Sequence, residues 1–289
     1  MKQLTFMPVV LFVGVCATFV APAVAQHDHP AGDSTKLGSV TFAVSCDPSV
    51  QPQFNTAVAM LHSFWYEKAH DTFAAVAGKD PTCGMAYWGM AMTYYHQIWS
   101  APGPTDLKAG GSALEKAKAA GVKTQRERDY IAALATFYKD SDKLDHRARS
   151  LGYEKAMDQL QARYPEDHEA AIFHALALLA TLDPTDKTYA NQKKAGEILE
   201  PLFVEQPGHP GIAHYIIHAY DYPPLAPRAL DAARRYAKIA RIRHTLCICH
   251  HIFSPGSAYG RNPLIPTSPL QPQPRRTTRP ATNYMRRTI

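Results

Sequence analysis

Asp80-Pro81-Thr82-Cys83-Gly84-Met85-Ala86-Tyr87-Trp88-Gly89-Met90-Ala91 carries the packing pattern that recurs through this chain. Asp80-Pro81 is a helix stop followed by a turn, because proline lacks an N–H and clashes with the preceding turn. After it, small residues (Gly84, Ala86, Gly89, Ala91) alternate with large ones (Tyr87, Trp88, Met90) at helical spacing. Small residues let a second helix approach closely, and the large ones fill the gap to the next element. The stretch therefore reads as the start of one helix in a close-packed pair.

The same pattern covers residues 50–240. Amphipathic segments fall near 50–63, 65–78, 84–99, 106–120, 124–139, 143–163, 168–181, 187–205, 210–221 and 226–240. Their breaks carry Pro, Gly and Asp, as in Gly78-Lys79-Asp80-Pro81, Tyr164-Pro165-Glu166-Asp167 and Gln206-Pro207-Gly208-His209-Pro210. Strand signals are almost absent, so the expected class is all-α, built from antiparallel helix pairs.

The pairs are similar to one another. Ala57 takes the small position of a first helix, and Ala69 and Phe73 precede Pro81 at the spacing at which Ala195 and Leu199 precede Pro207. After each proline, Tyr87, Met90, Ala91 and Tyr94, then Ala171, Ala175 and Leu178, then Ala213, Ile216 and Tyr220 occupy corresponding places. With blocks such as Phe64-Trp65-Tyr66-Glu67-Lys68-Ala69 and His209-Pro210-Gly211-Ile212-Ala213-His214-Tyr215, residues 45–240 resemble exported bacterial tetratricopeptide-repeat proteins. The resemblance implies a right-handed α-α superhelix (a solenoid) and a protein-binding role. It implies no catalytic residue and no cofactor. The distance from Pro81 to Pro165 is not a multiple of the 34-residue repeat, so the middle pairs depart from the pattern.

The first 25 residues read as a secretory signal peptide: Lys2, an apolar run from Leu4 to Val24, and the small-x-small ending Ala23-Val24-Ala25. Cleavage after Ala25 would deliver the chain to the periplasm or the outside, with no transmembrane segment left in the mature protein. Residues 26–49 read as a polar, partly ordered leader, in which His27-Asp28-His29 is a weak copper-binding candidate. In an oxidising compartment Cys46 and Cys83, which flank one helix pair, are expected to form a disulfide.

Residues 241–289 differ from the rest. They hold eight Arg, seven Pro and no acidic residue, so they carry +8 of a whole-chain charge of +6, and the other 240 residues net −2. The basic character belongs to this tail alone, so the helical body is not expected to bind nucleic acid. The tail reads as a disordered basic segment or as the product of a frameshift near residue 241. An alternate frame permits helix-like sequence there, and the cluster Cys247, Cys249, His250 and His251 would then be accidental.

No hydrolase, metalloprotease, phosphate-loop or dinucleotide motif is present. His214, His218 and Asp221 share one helix face by their spacing. They could be packed core, groove contacts, or ligands of a zinc-like metal in a metal-binding protein or metal-dependent hydrolase. Trp88, Met92 and Tyr95 take equivalent repeat positions. The expectation is a non-enzymatic scaffold whose concave groove, walled by Trp88, Met92, Tyr95, His214, His218 and Asp221, holds a protein or peptide partner.

Overall fold

In a computed structural model, residues 37–98 and 100–240 are described. The signal-peptide segment, His27-Asp28-His29, the tail from 241 and its cysteines lie outside them. Ten α-helices follow in order: α1 (Gln51–His62), α2 (Tyr66–Lys79), α3 (Gly84–Thr93), α4 (Pro104–Ala119), α5 (Gln125–Tyr138), α6 (His146–Arg163), α7 (His168–Ala180), α8 (Ala190–Glu205), α9 (Pro210–Tyr220) and α10 (Leu230–Ile239). The described residues include no strand.

All ten expected segments form helices, with two local differences. α3 stops at Thr93 instead of running to 99, and His96 just beyond it has φ +50°, which a right-handed helix does not accommodate. Ala226–Ala229 form a 3-10 turn ahead of α10. Side-chain caps fix several starts. Thr124 accepts from Glu127 N–H, Asp145 from Ala148 N–H and Asp167 from Ala170 N–H.

Each helix packs on the next in sequence, giving consecutive helix pairs. The odd-numbered helices also touch one another: α1 meets α3, α3 meets α5 and α7 meets α9. α1 also meets α9, so the first and ninth helices lie side by side. The small-large logic of the repeat residues holds in the packing. Ala57, Ala69, Phe73, Ala175, Ala195, Leu199 and Ala213 are fully buried. A Cβ on Gly89 would lie 2.4 Å from the Phe73 ring, so α2 and α3 approach through glycine.

The centre of the molecule is aromatic, and one part of it was not expected. Residues 37–46 lie as an extended strap with Leu37, Val40 and Phe42 buried and Thr41 and Ala43 exposed. Phe42 sits among Phe54 of α1, Trp88 of α3, Tyr130 of α5 and Phe173 of α7, with ring centroids 5.0–6.5 Å apart. Burying such a side chain contributes about 1.5–3 kcal/mol. The segment expected to be a polar leader is thus, from residue 37 onward, part of the core. The disulfide Cys46–Cys83 ties the end of the strap to the start of α3. In the chain-entropy model, closing that loop stabilises by about 3–4 kcal/mol. Among the described residues no helix is long and apolar enough to cross a membrane.

Candidate functional site

Side chains hold the strap's backbone between Phe42 and Ser45, and Ser39 N–H donates to Gly208 C=O at 3.0 Å. Asn55 Oδ1 accepts from Phe42 N–H (3.3 Å), and Gln51 Oε1 accepts from Val44 N–H (3.0 Å). Gln51 Nε2 donates to Phe42 C=O (2.8 Å) and Arg126 to Ala43 C=O (2.9 Å). Buried Glu127 accepts from both the backbone N–H and the hydroxyl of Ser45. The Arg126 guanidinium stacks 4.7 Å from the Phe42 ring and donates to Asp167 at 2.6 Å. An extended backbone with buried polar groups needs such partners, and α1 and α5 supply them. Beside the exposed edge of the strap runs an open groove of about 750 Å³. Thr41, Ala43, Arg126, Arg163, Tyr164 and Gln206 are among its walls.

A second constellation clasps α1 to α7 and α9. His62 Nε2 donates to Glu169 Oε2 and His209 Nε2 to Glu169 Oε1, both at 2.9 Å, and all three residues are buried. The tautomers follow from the outer contacts. The backbone N–H of Ile212 can only donate, and it reaches His209 Nδ1 at 3.3 Å, so the ring's proton is on Nε2, facing Glu169. For His62 it is the carboxylate, which can only accept when ionised, that calls for a proton on Nε2, while Nδ1 pairs with the Tyr215 hydroxyl at 2.9 Å. Burial pushes the Glu169 carboxyl up. The electrostatic pull of the His209 and His62 N–H groups and their hydrogen bonds outweigh this and hold it well below the usual carboxylate range. Its place in the first turn of α7 adds favourable helix dipole. Burial lowers the His62 pKa against the raising influence of Glu169. A Cβ on Gly211 would lie 2.6 Å from His62 Nδ1, so only glycine lets α9 come this close.

The ligand atoms of His62, Glu169 and His209 lie close enough together to suggest a metal centre. The proton positions argue for another role. Both imidazoles present N–H, not a lone pair, to the centre. Rotating the His209 proton away would remove the cap of α9. Cys46, Asp80 and Cys83 also converge, but both thiols are consumed in the disulfide.

The third constellation is the pair singled out by spacing. His214 Nδ1 is 2.7 Å from His62 C=O, which can only accept, so the proton is on Nδ1 and the lone pair on Nε2. His218 Nε2 lies 3.2 Å from that lone pair. Phe64, at φ +56°, packs against both rings, and Tyr236 stacks on His214 at 4.6 Å. Burial, then the neighbouring His218, pushes His214 well below the usual histidine range, and burial brings His218 to about 4. Asp221 is exposed at the C-cap of α9 and does not converge with the two histidines.

The six expected groove residues are therefore split. His214 and His218 are brought together, and Trp88 is beside the strap through Phe42. Met92 and Tyr95 are buried deeper, against Tyr153. Trp88, Met92, Tyr95 and His214 are each at most 1% exposed, so they offer no open surface. Sequence reading missed Gln51, Asn55, Arg126 and Glu127, which hold the strap, and the clasp of His62, Glu169 and His209. Comparison of the chain with protein-family models, with curated proteins and with solved structures finds no match.

Proposed function

We propose that this chain is an exported, non-enzymatic scaffold of the tetratricopeptide type that holds an extended segment of a protein or peptide partner. The observation that supports the reading is the way the helices hold residues 37–46. Gln51, Asn55, Arg126 and Glu127 grip an extended backbone while an aromatic pocket takes its Phe42 side chain. That is the chemistry of peptide recognition, used here in cis. Because the chain's own Phe42 occupies the aromatic pocket, the partner's place is the open groove along Thr41 and Ala43. Export is supported by the disulfide and by the signal-like N-terminus with cleavage after Ala25. The reading assigns no catalytic residue and no cofactor.

The test is site-specific photo-cross-linking in the producing cell, with the reactive group at Thr41 or Ala43. Val204, 78% exposed on α8, is the control position. The expected result is a discrete adduct from 41 and 43, absent from 204, and lost when Arg replaces the other of the two groove residues. Adducts of equal yield from Val204, or none from 41 and 43, reject the groove.

A further inference from the structure

We propose that the partner held in the groove adds to the strap as a strand, pairing its main chain with the backbone of Thr41 and Ala43. The inference rests on the scaffold reading above and names the chemistry of its partner. That partner is a polypeptide segment in extended conformation, recognised through its backbone amides rather than through charge.

The strap's hydrogen bonds show which way each backbone group faces. In an extended chain the N–H and C=O of one residue point to the same side, and those of the next residue to the opposite side. The even-numbered residues turn to α1: Phe42 bonds Asn55 and Gln51, and Val44 bonds Gln51. The odd-numbered residues turn the other way. Ser39 N–H goes to Gly208 C=O, Ala43 C=O to Arg126 and Ser45 N–H to Glu127. Between these anchored groups lie Thr41 N–H, Thr41 C=O and Ala43 N–H. None of the three has a hydrogen-bond partner among the described residues. They form a short open edge, with protein bonds at both ends.

That edge borders the groove of about 750 Å³, whose other walls include Tyr164, Pro165 and Glu166 from the α6–α7 turn. Thr41 and Ala43 are both exposed, so an incoming chain reaches their backbone. One neighbouring strand, about 4.8 Å away, satisfies all three groups. It supplies a C=O to Thr41 N–H, an N–H to Thr41 C=O and a second C=O to Ala43 N–H. An isolated anion has no donor for Thr41 C=O. The guanidiniums at the groove are already engaged, Arg126 by Asp167 at 2.6 Å and Arg163 by Asp129 at 2.7 Å. Main-chain pairing, not charge, therefore carries the recognition. Phe42 in its aromatic pocket and the disulfide at Cys46 hold the edge in place beforehand, which lowers the ordering cost of binding.

The experiment places the photo-reactive group at Glu166, which is exposed and lines the groove, and compares adduct yield in the producing cell among strap variants. Thr41→Pro and Ala43→Pro each delete one N–H, a change that an edge strand tolerates, and each should lower the yield about tenfold. Thr41→Val and Ala43→Ser alter the side chain, keep the N–H and should leave the yield unchanged. Circular dichroism melting checks the fold of every variant. The unaltered strap gives a second readout that needs no substitution in it. In the purified Glu166 adduct, hydrogen–deuterium exchange should slow at the Thr41 and Ala43 amides relative to the uncoupled protein. Full adduct yield in both folded proline variants, or unchanged exchange at both amides, overturns the strand pairing and leaves the groove standing. Equal losses in Thr41→Val and Ala43→Ser overturn it too, because the partner then reads side chains. No adduct from positions 41, 43 and 166 alike rejects the groove and the inference with it.

Discussion

Two buried histidine clusters share helix α9 and differ in where their protons point. At its start, His209 and His62 turn N–H groups inward onto Glu169. One turn further on, His214 turns a lone pair inward towards His218. One cluster is built on the Glu169 carboxylate and the other has none, and in each the partner of the far ring nitrogen fits the difference. A backbone N–H sets one tautomer and a backbone C=O sets the other. The first arrangement makes a closed, charge-holding clasp, and the second sets one ring nitrogen against another.

The largest effect is expected at the clasp. Glu169→Ala removes the only acceptor shared by two buried donors and should cost about 3–5 kcal/mol in denaturant unfolding. A loss under about 1 kcal/mol would show that Glu169 is not the centre of the cluster. Phe42→Ala serves as the apolar reference. Emptying its pocket should cost a comparable amount, about 3–5 kcal/mol, with no added dependence on pH.

A smaller effect separates the two faces of His62. Tyr215→Phe deletes the hydroxyl that donates to His62 Nδ1 and should cost about 1–2 kcal/mol. No change in the unfolding midpoint would show that this contact adds nothing to stability.

Acid titration adds a second test: the lowered histidines, His62 of the clasp included, lose stability as pH falls below 6.5, and Glu169 adds a separate, more acidic window that the His214–His218 pair lacks. His214 and His218 have folded pKa values below their unfolded value of 6.5, with His218 at about 4. The unfolded chain then binds more protons, and stability falls as pH drops from about 6.5 towards 4. Glu169 is depressed below its unfolded 4.5, so its contribution is present above that pH and is lost on further acidification. His218→Gln should flatten the first window by about 1–2 kcal/mol, discounted for a side chain in partial contact with water. Glu169→Gln should flatten the second. The smallest effect is His218→Ala at pH 7, about 1 kcal/mol or less, for one lost hydrogen bond. If the two flattenings are exchanged between the variants, the assignment of protons to the clusters is wrong.

Much of the helical layout was legible because helices are local. The Pro and Gly breaks, the small-large alternation around Ala69, Phe73, Gly89 and Ala91, and the caps at Thr124 and Asp167 all act within a few residues. The pairing of Cys46 with Cys83 was legible for a similar reason, since they flank one helix pair. The i, i+4 spacing of His214 and His218 placed them together, whereas Asp221 falls past the last turn of α9 and leaves their face.

The strap was not legible. Residues 37–46 have no helical period, and the alternation of Val40 and Phe42 with Thr41 and Ala43 is too short to declare a buried strand. Their partners Gln51, Asn55 and Glu127 look like ordinary polar helix residues until the fold aims them at one backbone. The clasp was hidden more deeply. His62, Glu169 and His209 are separated by 107 and 40 positions, and nothing in their local sequence marks them. Sequence alone determined the local order of this chain: which residues turn, which pack, and where each helix begins and stops. Tertiary structure alone decided which polar groups meet. The meeting of α1 with α9 brings distant residues together, and hydrogen bonds to single backbone atoms then choose the proton on each ring.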